Sequence, residues 1–249
     1  TLTLNGDFLY DRAGHGQFAI GNTTDGLHLN LDLGGQPRTF TQIDGGSDQV
    51  YFRNDIANGS FIFNGNNDVG HIEGATSYTG FTRVDSGTLR IKNTASTSSI
   101  EVTGSSIYLQ GTAGTAVNAD VYLRGGRLYL GTGAGNNNNR IGDGKTVYLE
   151  GGGTLTLRGV DSGTTSEALN VVLDGFATLN VQHGSGGSDT ATLNAGVDRT
   201  FRGLINVAGT DLGAASAPYS RMLFNPEPMI VGGGGSAGST NISIVPWLY

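Results

Sequence analysis

Four tyrosines each stand between two aliphatic residues: Tyr108 between Ile107 and Leu109, Tyr122 between Val121 and Leu123, Tyr129 between Leu128 and Leu130, and Tyr148 between Val147 and Leu149. Successive side chains on a strand point to opposite faces, so aliphatic neighbours that turn inward leave all four rings outside. Rows of outward phenol rings have two uses. They take sugar rings or a neighbouring rod, or they stack strand on strand as a stabilising ladder.

Other chemistry is thinly supplied. His15, His28, His71 and His183 are isolated, and only His71 with Glu73 approaches metal-ligand spacing, so surface or turn roles are expected and no metal. Gly45-Gly46-Ser47-Asp48, Asn64-Gly65-Asn66-Asn67-Asp68 and Gly186-Gly187-Ser188-Asp189 resemble the Gly-Gly-x-Gly-x-Asp calcium nonapeptide. None is complete and they are not in tandem, so they read as Gly/Asp turns. Glycoside cleavage needs paired carboxylates or a basic cluster around the scissile bond. No two acids are adjacent, and most are lone turn residues such as Asp44, Asp85, Asp161 and Asp174. Carboxylates distant in sequence still meet on stacked coils, which keeps a polysaccharide lyase or hydrolase as the rival enzyme reading. The sequons at Asn22, Asn58 and Asn241 are what an Asn- and Ser/Thr-rich chain supplies by chance.

Composition narrows the partners. The 249 residues carry a net charge of −7, only 14% are charged, and no basic stripe is offered to a phosphate backbone, so nucleic acid is not expected. No 18-residue apolar run provides a membrane-spanning helix, and no charged and then apolar leader opens the chain, which reads as a mature product or a segment of something longer. The absence of Cys fits an exported protein and removes thiolate chemistry. No cofactor is expected.

The elements that would position the tyrosines are short strands with Gly corners. Tyr78 to Ile91 reads as a turn, a strand, the corner Ser86-Gly87 and a second strand with Leu89 and Ile91 on one face. Echoes follow at Gly126-Arg127-Leu128-Tyr129-Leu130, Gly153-Thr154-Leu155-Thr156-Leu157 and Ala177-Thr178-Leu179-Asn180-Val181. Anchors recur at Leu2, Leu27, Val50, Ile72, Leu89, Ile107, Leu128, Leu155, Leu179, Ile205, Leu223 and Ile244, with unequal steps. Their average is roughly 22 residues, and a period in the twenties built from short strands is the signature of a parallel β-solenoid. No window offers helical periodicity, so the chain is all-β.

Tyr78, Thr79, Gly80, Thr82, Val84, Gly87, Thr88 and Leu89 match the pattern Tyr-Thr-Gly-Gly-Thr-x-Val-x-x-Gly-Thr-Leu-x-Leu, with Phe81 and Ile91 as departures. In this the chain resembles the autotransporter-associated β-strand repeat family of exported bacterial surface proteins. The stretch Asn241-Ile242-Ser243-Ile244-Val245-Pro246-Trp247 is similar to segments between repeat blocks in very long members. The resemblance implies a right-handed parallel β-helix without enzymatic activity in the repeat.

The resulting expectation is a right-handed β-helix of about ten to eleven coils of roughly 22 residues, with solenoid repeats over 1–213 and a Pro/Gly-rich end piece or junction over 214–249. An uncapped end coil is a template for another chain. Thr1, Leu2, Thr3 and Leu4 at one end, and Ile242, Ile244 and Trp247 at the other, are therefore the expected contacts for head-to-tail pairing with another copy or with flanking repeats. The expected setting is extracellular or cell-surface, with the chain serving as a structural fibre unit. A glycan-binding passenger region using Tyr108, Tyr122, Tyr129 and Tyr148 is the alternative.

Overall fold

The structure, a computed structural model, describes residues 1–11, 16–21, 29–43, 49–132, 135–199, 202–228 and 245–248. Among them are eighteen strands and no helix, and every pairing between strands is parallel. A strand pairs with the strand one coil away, so the stack forms ladders on three faces: a parallel β-solenoid, as the periodicity predicts.

The second face shows the logic best. Its inward column runs Phe18, Val50, Gly70, Leu89, Ile107, Leu128, Leu155, Leu179 and Val207, each in register with the next. From Val50 onward the steps differ in length, yet every one lands on the column. Six of the anchors read from sequence lie in it. Ile72 and Ile205 sit two residues off it, in register with Ile91 and Ala177, on the same inward side of the strand.

Gly70 occupies a core level without a side chain because the Phe63 ring fills its place. A Cβ there would lie 2.7 Å from that ring. Close packing of this kind leaves no room to redistribute volume.

The first face stacks Phe40, Phe63, Val84, Val102, Leu123, Leu149 and Leu173. The third begins with Leu2, Leu31, Ile56, Thr76 and Ala95, and ends in the first halves of the strands Thr164–Asp174 and Thr190–Asp198, whose second halves belong to the first face, and in Tyr219–Phe224. The boundary expected after residue 213 thus falls between Leu204–Gly209 and Tyr219–Phe224, and the latter strand still continues the stack.

The repeat at Tyr78 is spent on this architecture. Tyr78 is fully buried and shares a 2.7 Å hydrogen bond with Thr82 Oγ1, and burial pushes its phenol up to about 12. Gly80 lies where a Cβ would be 2.1 Å from Ser60 Oγ, and Gly87 turns the corner at φ +78°. Val84, Leu89 and Ile91 enter the core.

Candidate functional site: the outward columns

Between the inward columns lie outward ones, and these hold the tyrosines. Ile107, Leu109, Val121, Leu123, Leu128, Leu130, Val147 and Leu149 are fully buried, while the four rings between them are half-exposed. Register joins them in two pairs. Tyr108 lies on Tyr129 with centroids 4.2 Å apart and planes 5° from parallel, and Tyr122 lies on Tyr148 at 4.6 Å and 1°. Most of a ring face is therefore covered by its partner, and solvent meets the edges and hydroxyls. Partial burial, then the neighbouring Tyr129, pushes the Tyr108 phenol above its usual range; Tyr122 is raised in the same way by burial and Tyr148.

The Tyr108 column extends to residues that the sequence did not connect with it. In register it reads Tyr51, His71, Arg90, Tyr108, Tyr129, Thr156 and Asn180. His71 stacks on Tyr51 at 4.5 Å and 9°, and the Arg90 guanidinium lies 5.5 Å from the Tyr108 centroid. Arg53 and Lys92 also approach the Tyr51 ring. Although His71 is on the outward side, only 3% of it is exposed, and neither ring nitrogen has a hydrogen-bond partner. Burial, with Lys92 and Arg90 beside it, lowers its pKa to about 4, so the ring is neutral at pH 7.

Charge is sorted by face. Among the described residues, Arg53, Arg90, Lys92, Arg127 and Arg158 point outward on the second face against the single carboxylate Glu73. Outward on the first are Asp85, Glu101, Asp120, Glu150, Asp174 and Asp198 against Arg83 and Arg124. A polar groove of about 470 Å³ follows the corner between these faces, with Asp85, Ser106 and Arg127 on its walls.

Two of the remaining candidates, Asp189 and His183, make contacts within the fold. Asp189 accepts hydrogen bonds from the Gly186 N–H in its own turn and, at 2.9 Å, from Gly163 one coil away, so the Gly186-Gly187-Ser188-Asp189 turn staples two coils. His183 Nε2 lies 2.9 Å from Asp211, whose hydrogen bond raises the imidazole pKa. No cluster of three metal-ligating side chains occurs among the described residues. His15, His28, Asp44, Gly45 to Asp48, Ile242 and Ile244 lie outside the described residues.

Sequence reading missed two buried ionisable residues one coil apart, Arg140 and Glu167. Arg140 is 1% exposed and donates to the Gly111, Gly114 and Gly135 carbonyls at 2.7, 2.9 and 3.0 Å. One coil on, Glu167 is also 1% exposed and accepts from the Arg140 and Ile141 amides. Burial raises the Glu167 pKa to about 7. The pair clasps the third-face corner where the Asn-rich insertion enters.

At the ends, Leu2–Thr3 pairs with Leu31–Gln42 along one edge, and Leu2 is 43% exposed. Trp247 turns back onto the stack. Its carbonyl accepts from Ile205 N–H, its ring meets Phe224 edge-on at 5.9 Å, and Arg199 lies 4.9 Å from its centroid. No helix of the described residues is long and apolar enough to cross a membrane.

The class that this geometry defines is the parallel β-solenoid, with polar and aromatic columns on its outer faces. Comparison of the chain with protein-family models, with curated proteins and with solved structures finds no match in any of the three.

Proposed function

We propose that the chain is a structural rod segment of an exported, surface-located fibre: a right-handed parallel β-helix of the autotransporter-associated repeat kind, extended by adding coils at its ends. The observation that carries this reading is how the outward side chains are used. Tyr51 with His71, Tyr108 with Tyr129, and Tyr122 with Tyr148 stack along the rod axis, which stiffens coil against coil. Nine rungs on the second face give a rod of about 40 Å at the ordinary strand spacing, and ten to eleven coils for the whole chain would lengthen it to about 50 Å.

The Leu2–Thr3 strand has a second edge to offer a further coil, from the same chain or from another copy. At the other end an incoming coil has to meet Trp247 and the apolar residues Val207, Met222, Phe224 and Leu248. A glycan-binding passenger would have to use ring edges and hydroxyls, because each ring faces its stacked partner on one side and, on the other, the residue in register on the next coil, Arg90, Thr156, Glu101 or Val172.

Negative-stain electron microscopy over a range of concentrations tests the reading. Filaments with an axial repeat of about 50 Å, lost when residues 1–5 are deleted from a still-folded chain, are expected. Single short rods at every concentration, or filaments indifferent to the deletion, overturn end-coil assembly.

A further inference from the structure

The sorted charges have no part in end-to-end growth, since both strips lie along the sides of the rod. A chain of net charge −7 has carboxylates enough to make every face acidic, yet its second face carries five cations to one acid among the described residues. Some of these charges are satisfied at home. Glu73 takes Lys92 at 2.8 Å and Arg53 at 3.7 Å, Arg83 pairs with Asp85 at 2.8 Å, and Arg124 with Glu150 at 3.0 Å. Arg90, Arg127 and Arg158 on one face, and Glu101, Asp120 and Asp174 on the other, make no ion pair among the described residues.

The two strips also agree in length. Each spans six rungs, from Arg53 to Arg158 and from Arg83 to Asp198, or about 24 Å at the strand spacing. Belonging to one stack, they share one axial pitch. A basic strip on one rod therefore meets charges of opposite sign at matching intervals on the acidic strip of another. Each strip carries half-exposed tyrosines, Tyr108 and Tyr129 on the basic one and Tyr122 and Tyr148 on the acidic one, which supply amphipathic area for a contact.

We propose that rods associate side by side, the basic second face of one copy docking on the acidic first face of another. The interface is heterologous: every docked pair leaves one face of each sign unfilled, so association continues sideways until a ring closes or an open ribbon grows. It rests on the rod reading only in taking the two strips as continuous, and it is independent of the end coils. Pairing between exposed charges weakens as salt screens it, whereas growth by backbone pairing at the ends does not depend on it.

The experiment uses the full chain in sedimentation velocity at low and high salt, with electron microscopy to separate sideways from lengthwise growth. Wild type is expected to show species of at least twice the single-chain mass at low salt that dissolve at high salt. Two charge-reversed variants test the pairing rule. One carries Arg90→Glu, Arg127→Glu and Arg158→Glu; the other carries Glu101→Lys, Glu150→Lys and Asp174→Lys. Neither should associate sideways alone, and an equal mixture should, because each then offers what the other lacks. Wild type that stays single at low salt, a variant that still self-associates, or a mixture that does not, overturns the proposal. So does a second face that captures polygalacturonate while wild-type rods ignore one another. The salt series on wild type decides the matter should a variant fail to fold. Filaments that lengthen without thickening leave end-coil assembly standing while refuting lateral docking.

Discussion

Replacing His71 by Phe should remove an acid sensitivity that the stack builds in. His71 is sandwiched in the Tyr51 and Arg90 column with Lys92 and Glu73 alongside, and its pKa is lowered from 6.5 to about 4, chiefly by burial. A group whose folded pKa is depressed gives its full share of stability above the unfolded value, and loses it as pH falls from about 6.5 towards 4. At a pH of about 5 the unfolded imidazole is almost wholly protonated and the folded one hardly at all. The difference costs the wild type about 2 kcal/mol relative to pH ~8. His71→Phe retains an aromatic ring over Tyr51 and has nothing to protonate, and any constant packing change cancels when the two pH values are compared. Glu167 titrates in the opposite sense, with a raised folded pKa of about 7 whose stabilising share is lost as pH rises from 4.5 through 7. It is present in both proteins and cancels too. Urea denaturation of both at each pH is the assay, and the stability gap should widen in favour of Phe by about 2 kcal/mol between pH ~8 and ~5. A gap that stays constant, or an imidazole NMR resonance that titrates near 6.5, refutes the argument.

Gly70→Ala should destabilise by about 1–3 kcal/mol, because its Cβ is driven into the Phe63 ring; an unchanged urea midpoint would mean that the ring yields freely. A double-mutant cycle of Tyr108→Ala and Tyr129→Ala should return a coupling of about 0.5–1.5 kcal/mol for the stacked pair, whereas strict additivity would reduce the ladder to mere proximity. Arg140→Met should cost at least about 3 kcal/mol by thermal or chemical unfolding, since three carbonyls lose a charged donor together. A loss below ~1 kcal/mol would show the clasp to be dispensable.

The core was legible in the sequence because it obeys a local rule. Leu89 with Ile91, Leu128 with Leu130, and Leu155 with Leu157 announce a two-residue period flanked by Gly, and such pairs fill the second face. The same rule placed Tyr108, Tyr122, Tyr129 and Tyr148 on the outside. What it could not say is which outward residues share a column. Tyr51, His71 and Arg90 belong to the Tyr108 column through inter-coil register alone, and His71 looked like an isolated surface residue because its buried surroundings come from other coils. Arg140 and Glu167 were hidden for a related reason. A charged residue beside the Asn-rich run resembles any solvated loop, and its partners Gly111, Gly114 and the Glu167 carboxylate are 26 to 29 residues away.

That concealment follows from how a solenoid tolerates change. Register is held by inward side chains meeting inward side chains, so a corner can lengthen without disturbing either neighbour as long as the next strand re-enters in phase. Coils of unequal length therefore stack on one ladder. A one-residue insertion within a strand is different, because it sends the core residues outward. The outward columns consequently have fixed spacing in space and no fixed spacing in sequence. Arg90, Arg127 and Arg158 form a strip although no two of them are near one another in the chain, and a charge pattern that is regular along the rod reads along the sequence as scattered single residues.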